Sequence, residues 1–423
     1  MTQTQQADIE AAPWRERRFL VFACGNFANN LGESAYKVGL PLYIYDLTGS
    51  LRTMSLLAAL APAVVLLSPL LGAVVDHWGP RVFVVPGLLV QLTGAVALNL
   101  CVLNDHVSMP VLFGLATVVQ VGGEMYRSGW IAGVRGMFPH NAARSRAALS
   151  TLFVTSNVVG PIVVAVGVGL VGYLGLLWFN VASFLAPIAV WLAGVHPPAK
   201  DRPVPRRPIT LGRDIIDGWH IVKAEKRVMY VQLTALPLQF ASGIGVLSFM
   251  VWYLRDHWDV SASGVSVAQG TANVGALAGS AYIAARARAR PRYVLAVSVA
   301  VMTAALFAMT VDSPWTFVPC MVAFFTMRSA MTAVSAMIIV KYLPSEVLGR
   351  AEGLFNLFIG IPLLIAPLLI PVVQGALGST AVLVALGMTA GLSLLCLARF
   401  WPQWDDSDSA DSPPLTSKDV PVE

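Results

Sequence analysis

Polar side chains recur at helical spacing within the first long apolar segment of the chain: Asn26, Asn30, Glu33 and Lys37. Spacings of four, three and four residues place them on one face of a helix. A carboxylate one turn before an ammonium group can form an ion pair, and a carboxylate removed from water can also gain and lose a proton. Two roles stay open for Glu33: neutralising Lys37, or carrying a proton.

Three further ionisable residues lie inside apolar segments. Glu124 and Arg127 are three residues apart and could pair on one helical face. Arg328 lies about 20 Å of helix beyond Trp315. A charge at the centre of a bilayer costs at least about 2.5–3.5 kcal/mol, so each should be paired or hydrated. Either the pairs are structural and Arg328 bonds backbone carbonyls, or at least one glutamate titrates as the protein works.

The composition identifies the medium that surrounds these groups. Of 423 residues, 56% are hydrophobic and 12% are charged, whereas soluble domains are about one quarter charged. The apolar residues form runs of about 20, the length that a membrane-spanning helix needs. The sequence therefore predicts an all-α integral membrane protein. The cysteines and histidines show no spacing typical of a metal site, so no metal and no cofactor is expected.

Twelve apolar segments are candidate spans: 19–47, 54–75, 82–103, 109–134, 148–171, 174–194, 228–254, 263–285, 293–311, 315–340, 351–374 and 380–400. If the N-terminus is inside, most of the 28 Lys and Arg fall in inner segments. The predicted outer loops contain only Arg52 and Arg255. This asymmetry predicts cytoplasmic N- and C-termini, by the positive-inside rule. The net charge of +5 then reflects topology and not nucleic-acid binding.

Similar stretches relate the two halves of the chain. Pro139 and Pro344 occupy matching positions at an offset of 205, and Pro161 and Pro367 at an offset of 206. An offset near half the chain length indicates two parallel six-helix repeats, with a substrate site near the midplane between them. The predicted parts are an N-terminal cytoplasmic segment, a first bundle, a cytoplasmic linker, a second bundle and an acidic disordered tail: 1–18, 19–195, 196–227, 228–400 and 401–423.

The stretch LGAVVDHWGPR resembles the loop between helices 2 and 3 of the major facilitator superfamily. The residues that carry this resemblance are Gly72, Asp76, Gly79 and Arg81. It implies a cytoplasmic gate in which Asp76 accepts hydrogen bonds from the N-terminus of the eleventh span, where the helix dipole favours an anion. A plain capped turn is the alternative. Residues 15–400 follow the family pattern, which implies two pseudo-symmetric bundles.

Three other stretches resemble a branch of that family, the drug and siderophore exporters similar to macrolide-efflux and enterobactin-exporter proteins. They are LGESAYKVGLPLYIYDLTGS, VWYLRDHWDVSASGVSVAQGTANVGALAGS and YLPSEVLGRAEGL. Gly160 and Pro161 partly match a helix 5 antiporter motif, although Val163 and Val164 stand where glycines are usual. A proline kink with small-residue packing is the alternative for this pair.

The resemblance also implies which spans line a central pathway: the first, fourth, seventh and tenth. Glu33, Glu124 and Arg328 fall on three of these. The leading hypothesis is a multi-pass plasma (inner) membrane protein that exports a small amphipathic molecule, such as an antibiotic or siderophore, in exchange for protons. Its partners would be the substrate, the proton and the lipid bilayer. An uptake symporter on the same fold is the alternative, and a membrane enzyme or receptor is a third.

Overall fold

A computed structural model of the chain describes residues 13–67, 70–71, 74–75, 78–104, 108–139, 142–198, 219–220, 222–223, 225–285, 291–343 and 348–407. All regular structure in these ranges is helical. A 3₁₀ turn at Pro13–Arg15 precedes α1 (Arg17–Thr48). The following helices are α2 (Leu51–Val65), α3 (Arg81–Leu103), α4 (Met109–Met137), α5 (Ala142–Ser183), α6 (Leu185–Leu192), α7 (Lys226–Ser242), α8 (Ile244–His257), α9 (Ala262–Ala285), α10 (Pro291–Ala308), α11 (Pro314–Tyr342), α12 (Leu348–Leu377) and α13 (Ser379–Ser407).

Each predicted span overlaps helix in the part of the chain that the structure describes. Within that part, seven helical stretches are long and apolar enough to cross a membrane. Neither α1 nor α4 is among them, because amide and charged side chains lower their mean hydropathy. The number of twelve spans and the cytoplasmic termini remain predictions, and most of the predicted linker and tail lies outside the described residues.

Two glycines interrupt the long helices. Gly172 has φ 66°, a left-handed conformation that glycine adopts without a Cβ penalty. It separates the fifth and sixth predicted spans within α5. Gly243, with ψ 178°, ends α7 and starts α8 inside the seventh predicted span. Nearby, a Cβ on Gly245 would lie 2.6 Å from the backbone of Pro367. A glycine at 245 therefore lets α8 approach α12 closely.

The chain divides into two compact units that each combine separate stretches of sequence. One unit contains residues 1–48, 67–209 and 262–270, and the other contains 49–66, 210–261 and 271–423. Helix α2 therefore belongs to the second unit by its packing. The boundaries predicted for the two six-helix bundles remain predictions.

The first unit is built around α1, which packs against α5 and α6. Its core at one end is aromatic. Phe19 and Phe138 meet edge-on with ring centroids 5.3 Å apart, and Phe22 packs edge-on to Trp130 and Phe138. Because Phe138 and Trp130 lie at the end of α4, these contacts fix the end of α4 beside the start of α1.

The second unit is organised around α10, α12 and α13. Helix α10 packs against α11 and α13, while α12 packs against α2 and α7. Helix α9 meets α11 at glycines, since Cβ atoms on Gly275 and Gly279 would collide with Thr326. These contacts fix the position of α11, the helix that carries Arg328.

Candidate functional site

Helix α1 carries the polar stripe that its sequence predicts. Lys37 Nζ lies 2.6 Å from Glu33 Oε1, one turn apart on the helix. The side chains are 32% and 24% exposed, respectively, whereas Asn26 and Asn30 are buried. The stripe therefore runs from buried amides to a partly accessible ion pair.

Helix α4 carries the second ion pair. The Arg127 guanidinium donates from Nε to Glu124 Oε2 at 2.9 Å and from Nη2 to Oε1 at 2.7 Å. This bidentate arrangement engages both carboxylate oxygens. The Glu124 side chain is 8% exposed and the Arg127 side chain is 45% exposed. Glu124, the more buried partner, would therefore lose more stabilisation than Arg127 if the ion pair were broken.

The two pairs belong to one site between α1 and α4. Tyr126 donates from its hydroxyl to Asn26 Oδ1 at 3.4 Å. Glu33 interacts electrostatically with Arg127 as well as with Lys37. We call Glu33, Lys37, Glu124 and Arg127 the charge cluster. With both carboxylates ionised its net charge is zero, so a single proton would change the charge of the whole cluster to +1.

Glycine contacts bring the helices of this site together. A Cβ on Gly122 of α4 would lie 2.8 Å from the carbonyl oxygen of Gly87 in α3, and one on Gly87 would lie 2.9 Å from the Gly122 carbonyl oxygen. Both are backbone atoms, which cannot turn away as a flexible side chain can. The α3–α4 crossing therefore requires small residues, and it sets the position of Glu124 two residues further on.

The predicted helix 5 motif has a packing role. A Cβ on Gly160 would collide with the Ser34 side chain and lie 3.0 Å from the Ala35 nitrogen. The absence of a side chain at 160 lets α5 lie against α1 next to Glu33. This contact agrees with the small-residue packing interpretation. The antiporter meaning of Gly160 and Pro161 remains a prediction.

Several buried polar atoms near the cluster have no hydrogen-bond partner among the described residues: Asn26 Nδ2, Asn30 Nδ2 and the Tyr36 hydroxyl. A cavity of about 10 Å³ adjoins Asn26 and Tyr126, and a cavity of about 10–15 Å³ is the least that holds a water. Sequence reasoning missed Tyr126. Its position between Glu124 and Arg127 was the available signal, because a buried tyrosine needs a partner for its hydroxyl.

The structure describes only part of the predicted gate. Gly72 and Asp76 lie outside the described residues, as do the side chains at the start of α12. Gly79 has φ 89°, and its N–H donates to the Val75 carbonyl at 2.7 Å. The Arg81 guanidinium lies 5.4 Å from the centre of the Trp191 ring and 3.5 Å from His196 Nε2. The gating role of these four residues remains a prediction.

Arg328 lies on α11, in the second unit. Its guanidinium has neither an ion pair nor a hydrogen bond in the described parts of the chain, and its nearest aromatic contact is the Phe325 ring at 6.0 Å. The predicted bond to backbone carbonyls is therefore not seen. Among the residues that the structure describes, no group of three His, Cys, Asp or Glu could hold a metal ion.

Comparisons with known proteins agree with this architecture. The family model described as Major Facilitator Superfamily matches residues 22–367, and a comparison with curated proteins found no match. A POT family transporter in complex with a thioalcohol-conjugated peptide superposes with a TM-score of 0.75 at 13% identity, covering 92% of this chain and 96% of its own.

Two other solved structures share the fold. A bacterial homologue of the iron transporter ferroportin in an inward-facing state has a TM-score of 0.70 at 15% identity, covering 91% of this chain and 98% of its own. The nucleoside transporter NupG has a TM-score of 0.68 at 13% identity, covering 92% and 99%. The chain therefore belongs to the major facilitator superfamily and is a multi-pass membrane transporter.

Proposed function

We propose that this protein is a proton-coupled exporter that moves a small amphipathic molecule across the plasma membrane by alternating access. The observation that carries the proposal is the charge cluster: two acids and two bases on neighbouring helices, neutral in sum and electrostatically connected through Glu33 and Arg127. Four charges within apolar helices are costly to keep. A proton-carrying role would explain why these four charged residues are present, whereas helix packing does not require them.

Glu33 is the stronger candidate for the proton. Both oxygens of Glu124 are engaged by Arg127, so protonating Glu124 would break a bidentate pair. Glu33 pairs with Lys37 through Oε1 and is more exposed. A proton on Glu33 would leave Lys37 and Arg127 with one shared counter-ion, Glu124. The resulting charge of +1 gives the loaded cluster a different interaction with the membrane potential and with a substrate.

Arg328 is the candidate for contact with the substrate itself. Its guanidinium is a planar donor suited to carboxylate or phosphate groups, and the described residues offer it no acidic partner. We propose that an acidic group of the substrate approaches Arg328 during the transport cycle. The exporter direction rests on the three stretches that resemble the drug and siderophore branch, and a small-molecule cargo is in keeping with the neighbours that share the fold.

The proposal is tested in everted membrane vesicles with an acidified interior, using a panel of antibiotics, siderophores and small organic acids. An exporter that exchanges one net charge at 100 mV supports an accumulation ratio of about 50. Glu33→Gln should abolish this accumulation while keeping substrate counterflow, which needs no net proton movement. Asp46→Asn is the control on the same helix outside the cluster, because an amide oxygen can still accept the hydrogen bond that Asp46 Oδ2 accepts from the Tyr173 hydroxyl at 2.6 Å.

The direction of accumulation also distinguishes an exporter from an uptake symporter. An uptake symporter would accumulate substrate in right-side-out vesicles with an acidic exterior. Full proton-driven accumulation by Glu33→Gln would contradict the proton-carrying role. Equal loss of accumulation and counterflow would instead indicate that Glu33 is needed for the fold or for substrate binding.

A further inference from the structure

A groove lies between α2 and α12 in the second unit. It has a volume of about 400 Å³ and is lined by Arg52 and Leu56 on α2 and by a stripe on α12: Pro367, Leu368, Pro371, Val372 and Gly375. The stripe extends for about 12 Å along α12. Pockets that bind small ligands measure roughly 300–1,000 Å³, so the groove is large enough for a ligand.

The groove exists because the two helices diverge. Near one end, a Cβ on Gly360 would lie 2.6 Å from Leu66, so α12 is close to the end of α2. About 22 Å further along α12, a Cβ on Gly375 would meet nothing within 4 Å. The gap is therefore wedge-shaped and widens toward the start of α2, which the distribution of basic residues places at the outer face of the membrane.

The lining of the groove is apolar except at its wide end. Leu56, Leu368 and Val372 are exposed, as expected for side chains that contact lipid. Arg52 is the one charged residue among the lining residues. Its guanidinium makes no hydrogen bond or ion pair within the described chain, and it lies in the first turn of α2, where the helix dipole also favours an anion.

We propose that this groove is a binding site for an anionic phospholipid of the outer leaflet, with one acyl chain between α2 and α12 and the lipid phosphate on Arg52. The charge of Arg52 matches the phosphate, and the apolar stripe matches the chain. Acyl chains gain little by leaving the surrounding lipid for another apolar surface. The selectivity of the site therefore comes from Arg52, and the shape of the wedge determines whether a chain fits.

The test uses the full-length protein purified in detergent and loaded with phosphatidylglycerol, with bound lipids counted by native mass spectrometry. One basic side chain near a membrane surface corresponds to about a fivefold preference for an anionic lipid. Arg52→Gln should therefore lower phosphatidylglycerol retention about fivefold, and Arg52→Lys should restore most of it. The wild-type protein should retain phosphatidylcholine with the same chains more weakly than phosphatidylglycerol. Arg52→Gln should retain the two lipids equally.

Gly375→Leu tests the wedge without changing charge, and it should displace the same lipid. Its matched control is Gly169→Leu in α5, where an added Cβ also meets nothing within 4 Å. Arg146→Gln, an exposed residue on a predicted inner segment, is the control for charge. Retention of phosphatidylglycerol at the wild-type level by Arg52→Gln or by Gly375→Leu would overturn the proposal. Equal retention of the two lipid classes by the wild-type protein, or an equal loss in Gly169→Leu, would also overturn it. None of these results depends on proton-coupled export, which is measured separately.

Discussion

The unequal burial of the Glu124–Arg127 pair predicts an unequal response to breaking it. Glu124→Gln removes the buried acid and leaves Arg127 half exposed, with Glu33 still nearby. Arg127→Gln leaves Glu124 ionised, 8% exposed and without its bidentate partner. We therefore expect Arg127→Gln to destabilise the protein more than Glu124→Gln does.

The magnitudes follow from the geometry. At an effective dielectric constant of about 20, charges 2.7 Å apart attract by about 6 kcal/mol, and desolvation offsets much of this. Removing one partner of a fully buried pair costs about 3–5 kcal/mol. Because the Arg127 side chain is 45% exposed, we expect Arg127→Gln to cost about 3 kcal/mol, the lower end of that range. Glu33 partly compensates Arg127 when Glu124 is lost, so Glu124→Gln should cost about 1–2 kcal/mol.

The measurement is the free energy of unfolding of the purified protein in detergent, from denaturant titrations of both single variants and the double variant. Because the double variant leaves no lone charge in the pair, it should be more stable than Arg127→Gln alone. This is a substrate-independent test. Equal losses in the two single variants, or a double variant that shows their simple sum, would refute the reasoning.

Three other substitutions test the helix packing at the site and the unpaired charge on α11. Gly122→Leu should prevent the close α3–α4 approach at Gly87, and we expect a loss of at least about 1–3 kcal/mol in unfolding free energy; wild-type stability would show that the crossing adapts. Gly160→Leu should separate α5 from α1 at Ser34 with a similar loss, and a thermal melt of the detergent-solubilised protein checks it. Arg328→Met should raise the unfolding free energy by about 1–3 kcal/mol, because it removes an unpaired charge from an apolar helix; a lower stability would reveal a partner that the structure does not show.

The sequence was informative about the site wherever a pattern is local. Spacings of four and three residues were enough to predict the Glu33–Lys37 and Glu124–Arg127 pairs, because these contacts form within one helix. The family resemblance and the helical segments were predictable for the same reason, since hydropathy and short motifs are read along the chain. The number of segments that cross the membrane and the side that the termini face are not determined by helical structure, and both remain predictions.

Contacts between helices were harder to predict from the sequence. Nothing in the spacing of Gly87 and Gly122 indicates that their backbones meet, because they lie on different helices and only tertiary packing brings them together. Tyr126 was missed for a related reason, since its hydroxyl reaches Asn26 on α1 and has no local partner. The groove beside Arg52 likewise depends on the divergence of two helices distant in the chain.

The local character of both ion pairs has a consequence for biosynthesis. Helices α1 and α4 contain the residues that lower mean hydropathy, yet each carries its own counter-ion, at i+4 in α1 and i+3 in α4. Neither helix has to wait for a later segment to be synthesised before its acid is neutralised. Each glutamate can therefore enter the bilayer with its charge already neutralised, and the two helices are joined through Tyr126 and Asn26 only after both are in the bilayer.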